Sequence, residues 1–266
     1  GYTFSTGSGL GTITFAAGSS TATITLTPTN DALVEGNEDA VIFVNTGASY
    51  GVGTSPAIGT ITDNDTATIG FTLATSGALE SSSTHNIEVT LTITADGTGP
   101  IGLGSDLTAD LTAAVSSDFT LPASPAVTFA AGTYAGGTAT QNAVLTVIDD
   151  RQVEGDESPL FGLSIVGNIG TQVAVAGTTS HTLTVTDNDT ALLSFSAATG
   201  TALESAGAQN VGVLLTISAI GTGTIGLGYN LTADLTTTGG TATGSGTDYS
   251  LPVTPAVTFL AGTYAT

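Results

Sequence analysis

Asp-Asn-Asp-Thr-Ala occurs at residues 63–67 and again at 187–191, and this pentapeptide marks the period of the whole chain. Ile-Gly-Leu-Gly at 101–104 returns at 225–228 with the same spacing of 124 residues. Self-similarity at a fixed long period is the signature of a tandem repeat protein, in which each unit is one structural module. The sequence therefore predicts an array of similar domains.

A third copy lies at the start of the chain, where Thr-Phe-Ala-Ala-Gly at 14–18 matches 128–132. We therefore divide the chain into the C-terminal part of one repeat (1–65), a complete repeat (66–189) and the N-terminal part of another (190–266). The closing Asp-Asn-Asp of each repeat runs straight into the next predicted strand, without a Pro- or Gly-rich linker. We expect short, stiff junctions between the repeats.

The composition limits what the protein can bind. Only 9% of residues are charged, and 22 acids face a single base, which gives a net charge of −21. Nucleic acids and anionic membrane surfaces need many Lys and Arg side chains, and Arg151 alone does not supply them. No apolar run is long enough to span a bilayer, so we predict no membrane insertion. Cations are the natural partners of such a chain.

Strand periodicity dominates the sequence. Apolar and polar residues alternate at His181–Thr186 and at Ile24–Leu26, and the run Val211–Ile217 has the apolar content of a central strand. Thr and Val suit the pleated, half-buried surface of a sheet, and Gly, Asn, Asp and Pro separate the runs. These patterns predict an all-β, two-sheet sandwich. No signal-peptide pattern precedes the first strand, so we expect a processed form or a segment of a longer chain.

Each repeat resembles the Calx-beta domain. In the complete repeat the marks of that family are, in order, an early Glu (Glu80), an Asp-aromatic pair (118–119), Val-Thr-Phe-x-x-Gly (127–132), Ile-Asp-Asp (148–150), Val-Glu-Gly-Asp-Glu (153–157) and Thr-Asp-Asn-Asp (186–189). The resemblance implies tandem immunoglobulin-like antiparallel β-sandwiches. It also implies, as in many members of the family, calcium bound at one end of the sandwich.

Fifteen of the acids occupy the segments that the resemblance assigns to calcium. They are Glu80, Asp118, Asp149, Asp150, Glu154, Glu157, Asp187 and Asp189 in the complete repeat, Asp31, Glu35, Glu38, Asp63 and Asp65 in the first, and Glu204 and Asp248 in the last. Ca²⁺ takes six to eight oxygen ligands, and clustered carboxylates without a cation repel one another. The alternative is that Asp and Asn only form turns. Asn30 stands where the complete repeat has Asp149, which weakens the first site.

Catalysis is not expected. The carboxylates pair with one another and not with a base, and Ser residues do not form a nucleophile motif. His85 and His181 lie in different segments, and their repeat-equivalent positions hold Gln209 and Ala57. We expect each His to be an ordinary packed or exposed side chain, neither ligand nor catalyst, and we predict that the protein is not an enzyme.

The repeats favour a structural role. We predict a subunit or segment of an extracellular fibre, filament or surface adhesin, stiffened by Ca²⁺ at the repeat poles. The alternative is a calcium-dependent adhesion or calcium-sensing tandem binding module. The partners would be further repeats of the same chain or copies of itself joined head to tail, with a surface glycan or protein receptor as a further candidate. The extracellular or cell-surface location is inferred from the array, the absence of Lys and the calcium motif.

Overall fold

The computed structural model of this chain describes residues 2–3, 11–167, 169–244 and 246–265. These residues form short strands joined by turns, which confirms the predicted all-β fold. Helical structure in this part is limited to 3-10 turns at Glu80–Ser82, Ala135–Gly137, Gly170–Gln172 and Glu204–Ala206. None of the helices described has the length and apolar character needed to cross a membrane.

The strands follow the three repeats. The first segment holds β1 (Tyr2–Thr3), β2 (Thr27–Pro28), β3 (Leu33–Val34), β4 (Glu38–Ile42) and β5 (Ala57–Ile61). The complete repeat holds β6 (Thr66–Phe71), β7 (Thr75–Leu79), β8 (Thr84–Thr94), β9 (Gly102–Leu103), β10 (Leu107–Thr112), β11 (Phe119–Thr120), β12 (Val127–Phe129), β13 (Gly132–Thr133), β14 (Thr138–Val147), β15 (Gln152–Val153), β16 (Leu160–Gly167), β17 (Val173–Val175) and β18 (Ser180–Thr186). The last segment holds β19 (Thr190–Phe195), β20 (Val213–Ser218), β21 (Gly226–Leu227), β22 (Leu231–Ala233), β23 (Val257–Phe259) and β24 (Gly262–Thr263).

The complete repeat is a sandwich of two five-stranded sheets. One sheet has the order β12-β10-β16-β18-β7 and the other the order β11-β14-β8-β6-β17. Side chains that alternate along β8 show how the core forms, because Ile87, Val89 and Leu91 are buried while the residues between them are not. The opposite sheet contributes Phe129, Phe161 and other large side chains to the same core. The period-two pattern of each strand thus closes one continuous apolar layer between the sheets.

Each sheet of the complete repeat has one parallel edge, which the prediction of purely antiparallel sandwiches did not include. β7 pairs in parallel with β18, and β17 pairs in parallel with β6. β6 ends at Phe71 in one sheet and β7 starts at Thr75 in the other. Because this link crosses from one sheet to the other, β7 lies beside the last strand of the repeat and runs in the same direction.

The two partial repeats pair less completely. β4 and β5 form a two-stranded sheet, as do β19 and β20. The strand predicted at Ile24–Leu26 is absent from the described structure, where these residues have no regular conformation and are mostly exposed. Alternation alone does not make a strand when no neighbour is present to complete its hydrogen bonds.

The repeats join through small sheets that span the boundary. β3 of the first repeat pairs in parallel with β9 of the complete repeat, which also pairs with β13. The next junction repeats this arrangement, since β15 pairs with β21 and β21 with β24. Neighbouring repeats are therefore joined by backbone hydrogen bonds and not by a free linker.

Candidate metal centre at the repeat pole

Strand ends bring eight acids to one end of the complete sandwich, which we call the acidic pole. β7, β14 and β18 end there, β11 begins there, and the turn after β15 completes it. Hydrogen bonds and mutual charge effects connect all eight carboxylates of this pole, namely Glu80, Asp118, Asp149, Asp150, Glu154, Glu157, Asp187 and Asp189. The structure thus gathers the whole set that the sequence assigned to the complete repeat.

Three of these carboxylates form the tightest group. Single oxygens of Asp118, Glu154 and Glu157 all lie within 4.8 Å of one another, and all three side chains are half-buried. Among the His, Cys, Asp and Glu side chains that the structure describes, this is the one group of three or more with ligand atoms at such distances. A cation with ligand distances of 2.3–2.6 Å can contact all three oxygens at once.

Backbone N–H groups fix the position of Glu80 at the same pole. Its Oε1 accepts a hydrogen bond from the backbone N–H of Asp150 at 3.0 Å, and its Oε2 accepts one from the backbone N–H of Asn188 at 3.4 Å. The side chain is only 7% exposed. Burial, followed by the charges of Asp150 and Asp187, raises its pKa, while the two hydrogen bonds act in the opposite direction. Glu80 therefore ties the ends of β14 and β18 together.

Asp187 organises the turn that carries Glu154. Its Oδ2 accepts hydrogen bonds from the backbone N–H groups of Glu154 at 2.9 Å and Gly155 at 2.8 Å. Its Oδ1 accepts from the N–H of Asp189 at 2.7 Å. This is the turn-forming role that we considered for Asp as the alternative to ligation, and for Asp187 the structure supports it.

Asp189 and Asn188 carry buried oxygens without partners. Asp189 is 6% exposed, and its Oδ2 has no hydrogen-bond partner among the described residues. The same holds for Oδ1 of Asn188, whose Nδ2 donates to Asp149 at 2.9 Å. A buried polar atom without a partner is costly, and a cation is one way to satisfy it. Asn188 lies outside the predicted set of ligands, although it is at the centre of the Asp-Asn-Asp motif.

Electrostatic crowding is greatest at the two glutamates. Burial, then Asp118 and Asp150, raise the pKa of Glu154 to about 7. Burial, then Asp118 and Glu154, raise the pKa of Glu157 to about 7. Both groups are thus poorly tolerated as anions at neutral pH unless a positive charge is added.

The first repeat has a more open version of the pole. A cleft of about 310 Å³ is lined by all five acids predicted there. Oδ2 of Asp63 accepts from the N–H groups of Glu35 and Gly36 at 2.8 Å each, as Asp187 does in the complete repeat. Burial, then Asp31 and Glu38, raise the pKa of Glu35. The position that corresponds to Asp118 lies outside the described residues.

The last repeat does not gather its two predicted acids into a comparable group. Glu204 is exposed in a 3-10 turn. Asp248 is exposed in a loop, where its Oδ2 accepts a hydrogen bond from the N–H of Thr243 at 2.5 Å. The segments that supply Asp149, Glu154 and Asp187 in the complete repeat have no counterpart between 190 and 266.

The poles are built into the repeat junctions. Oδ1 of Asp189 accepts from the N–H of Ile220 at 2.8 Å, and the carbonyl of Asp149 accepts from the N–H of Thr222 at 2.8 Å. A Cβ on Gly221 would lie 2.3 Å from the carbonyl oxygen of Asp150, so only Gly allows this approach. At the first junction Oδ1 of Asp65 accepts a hydrogen bond from the backbone N–H of Asp96 at 2.6 Å, as Asp189 does at the second. The second Asp of each Asp-Asn-Asp motif thus reaches into the following repeat.

Comparison with known families identifies the repeat. The family model described as the Calx-beta domain matches residues 4–65, 62–189 and 186–265. The chain belongs to the Calx-beta family. This agrees with the resemblance seen in the sequence and with the sandwich described above. A search of curated protein sequences gives no match.

Solved structures similar to these Calx-beta repeats include three crystal structures of Calx domains. The apo form of the Calx CBD1 domain is 16% identical with a TM-score of 0.32, and the match covers 46% of this chain and 98% of that one. CBD12 from CALX1.2 is 16% identical with a TM-score of 0.31, covering 45% of this chain and 44% of that one. The calcium binding domain CBD12 of CALX1.1 is 14% identical with a TM-score of 0.29, covering 56% and 69%.

The ligands available at the acidic pole of the complete Calx-beta repeat fit a hard cation. Carboxylate oxygens, the amide oxygen of Asn188 and nearby backbone carbonyls are the donors that Ca²⁺ prefers, and the chain has no Cys that would favour a softer metal. The buried, unpartnered Oδ2 of Asp189 and the raised pKa values of Glu154 and Glu157 both favour an added positive charge. Asp118, Glu154 and Glu157 are the residues that would hold the ion. Asp189 and Asn188 add unpartnered oxygens at the same pole.

Proposed function

We propose that this chain is a calcium-binding tandem Calx-beta module that serves as a segment of an extracellular structural array. In it, Ca²⁺ at the repeat poles stiffens the junctions between domains. The proposal is one of binding and assembly, not of catalysis. The observation that carries it is that the acidic pole and the junction to the next repeat share the same short segment, residues 149–155.

Coupling between ion and junction follows from that shared segment. β15 pairs with the next repeat, and Glu154 follows it directly. The carbonyl of Arg151 accepts from the N–H of Gly226 at 3.0 Å, so the residues on either side of the ligands are bonded across the boundary. An ion that fixes Glu154 and Asp189 would therefore restrict movement at the junction between the repeats as well as within the pole.

Exposed apolar side chains in the partial repeats support continuation of the array. Phe15 is 56% exposed and Phe195 is 57% exposed, whereas their counterparts Phe129 and Phe71 are buried. Exposed apolar faces of this kind need the other half of a sandwich to cover them. We propose that it comes from further repeats of the same chain or from a second copy joined head to tail, at a cell surface where millimolar calcium fills weak sites.

Thermal unfolding with millimolar Ca²⁺ and with chelator, combined with electron microscopy, tests this proposal. We expect calcium to raise Tm and rods or filaments to form. At free Ca²⁺ a hundredfold above Kd, the stabilisation is about 2.7 kcal/mol, or roughly 5–10 °C. Calcium-dependent monomers without filaments would favour an adhesion or sensing module. No calcium effect on Tm would overturn the binding proposal.

Limited proteolysis gives an independent test of the junction. Arg151 is the only basic residue, so trypsin has one possible cleavage site, and it lies beside the pole. We expect calcium to slow cleavage there because the bond lies in the segment that ion and junction share. Equal cleavage rates in calcium and in chelator would contradict the coupling even if calcium binds.

A further inference from the structure

The two histidines of the chain meet at one serine. Nε2 of His85 and Nε2 of His181 each lie 2.7 Å from Oγ of Ser76, although 105 residues separate Ser76 from His181. The sequence contains only these two His residues. Their convergence is contrary to our expectation of two unrelated side chains.

The hydrogen bonds fix the protonation of this cluster. Nδ1 of His181 lies 2.7 Å from the carbonyl oxygen of Leu73, which can only accept, so Nδ1 carries the proton. In the neutral ring, Nε2 of His181 therefore has a free lone pair and accepts from the hydroxyl of Ser76. The Ser76 oxygen in turn accepts a hydrogen bond from Nε2–H of His85. A backbone carbonyl on the far nitrogen is the support that metal-binding imidazoles commonly have.

The cluster joins the two sheets of the complete repeat. Ser76 is on β7 and His181 on β18, in one sheet, whereas His85 is on β8 in the other. His181 is 3% exposed, and its ring centroid lies 5.5 Å from that of Phe71. Ser76 and His85 are half-buried, so the cluster opens to solvent on the His85 side. This is one rigid, buried imidazole with one more accessible imidazole facing it.

We propose that His85, His181 and Ser76 form a site for a borderline divalent transition metal of the Zn²⁺ type, which staples the two sheets together. Imidazole nitrogens suit Zn²⁺ and Cu²⁺, whereas Ca²⁺ prefers oxygen. The ion would take Nε2 of both rings, the Ser76 oxygen and water. With ligands at about 2.0 Å in a tetrahedron, the donor atoms separate to about 3.3 Å. That requires each 2.7 Å hydrogen bond to open modestly. The Ser76 hydroxyl turns its proton away from the ion, and His85 moves its proton from Nε2 to Nδ1, so both rings bind in the neutral form.

The environment of His85 favours such binding. Burial, and then the neighbouring His181, lower the pKa of His85. Metal ions bind the neutral imidazole, so the lowered pKa reduces competition from protons at this ring.

This site is separate from the acidic pole and unique to the complete repeat. His181 and Asp187 are six residues apart along β18, which corresponds to about 20 Å in an extended strand. In the last repeat the positions of Ser76 and His85 hold Gly200 and Gln209, and in the first repeat the position of His181 holds Ala57. One transition-metal site per chain is therefore expected.

Calorimetric titration of ZnCl₂ into the untagged chain, in millimolar CaCl₂ to occupy the carboxylates, tests the proposal. We expect one Zn²⁺ per chain. His85→Gln introduces the residue that the last repeat already has, and it should weaken Zn²⁺ binding by about tenfold or more. Ser76→Ala removes one proposed ligand but keeps both imidazoles, so it should weaken Zn²⁺ binding less than His85→Gln, because water can take the place of the hydroxyl. The double variant E154Q/E157Q should bind Zn²⁺ as the parent does.

Electron paramagnetic resonance of the Cu²⁺-loaded chain gives a second readout that folding alone would not change. Hyperfine coupling to two imidazole nitrogens is expected in the parent and to one in His85→Gln. No calcium-resistant Zn²⁺ binding, or binding that His85→Gln leaves unchanged while E154Q/E157Q abolishes it, would overturn the proposal.

Discussion

The complete repeat and the partial repeats contain nearly the same segments but bury them differently. Val127 and Phe129 are 4% and 1% exposed, whereas their counterparts Ile13 and Phe15 are 38% and 56% exposed. β12 pairs with β10 inside a five-stranded sheet, and residues 13–15 form no strand. The difference shows that these segments depend on the strands around them for their structure.

The acidic segments show the same contrast. In the complete repeat, Glu154 and Glu157 meet Asp118 from the first half of the sandwich. In the first repeat, Glu35 and Glu38 line a cleft instead. The pole of the complete repeat concentrates its charge, whereas the described residues of the first pole leave theirs open to solvent.

Core truncation should give the largest effect. We expect Phe129→Ala to destabilise the complete repeat by about 3–5 kcal/mol, because a fully buried ring leaves a cavity. Phe15→Ala should cost less than about 1 kcal/mol, because its ring already contacts water. Urea unfolding of both variants measures the difference. If Phe15→Ala costs as much as Phe129→Ala, strands of a second copy complete the first repeat in solution.

Neutralising the two crowded glutamates should give the next largest effect. E154Q/E157Q should remove most of the calcium-induced rise in Tm, expected at roughly 5–10 °C. In chelator the same variant should be more stable than the parent near pH 7.5, since it removes repulsion. E35Q/E38Q should have a smaller effect on both measurements. Glu204→Gln serves as the matched control, and a loss of calcium response there would contradict the contrast between poles.

The junction can be tested with a pair of glycines. Gly221 has φ +111° and Gly223 has φ +93°, so an Ala at either position is strained, but only at Gly221 would Cβ meet the carbonyls of the pole. We expect Gly221→Ala to cost about 1–3 kcal/mol more than Gly223→Ala. It should also speed tryptic cleavage at Arg151. Equal melting temperatures and cleavage rates for the two variants would mean that this contact does not hold the junction.

The last prediction concerns pH. The pKa of Glu154 and of Glu157 is raised from 4.5 to about 7 in the folded chain, so between these values the folded state binds more protons than the unfolded state. The free energy of unfolding should therefore fall as pH rises from about 4.5 to 7 in chelator. In saturating calcium this loss should disappear, because the ion binds the ionised groups. Melting curves at pH 5 and 7.5 test this, and E154Q/E157Q should show a weaker pH dependence.

Much of the fold followed from local pattern. The alternation at His181–Thr186 predicted β18, and the run at Val211–Ile217 overlaps β20. The same kind of pattern was wrong at Ile24–Leu26, because no described neighbour completes a ladder there. The parallel edges could not be read from alternation, since they depend on where the links β6–β7 and β16–β17 cross from one sheet to the other.

The candidate site divides in the same way. The acids themselves could be found because the repeat motifs place them in turns between strands. Their separate roles could not, because Asp187 accepts backbone hydrogen bonds while Asp189 keeps a buried oxygen free. The place of Asn188 in the pole depends on its hydrogen bond to Asp149 in the same repeat. The position of the Asp149 carbonyl depends on a contact across the junction, with the N–H of Thr222.

By itself, the sequence determined the repeat period, the all-β character, the acidity and the family, because each is written in local spacing and composition. The tertiary structure decided which acids converge, which of the repeated phenylalanines are buried, and that His85 and His181 share Ser76. The physical reason is that these contacts join residues on different sheets and far apart in the chain. Their distances are set by strand pairing and sheet packing, which no single segment of the sequence encodes.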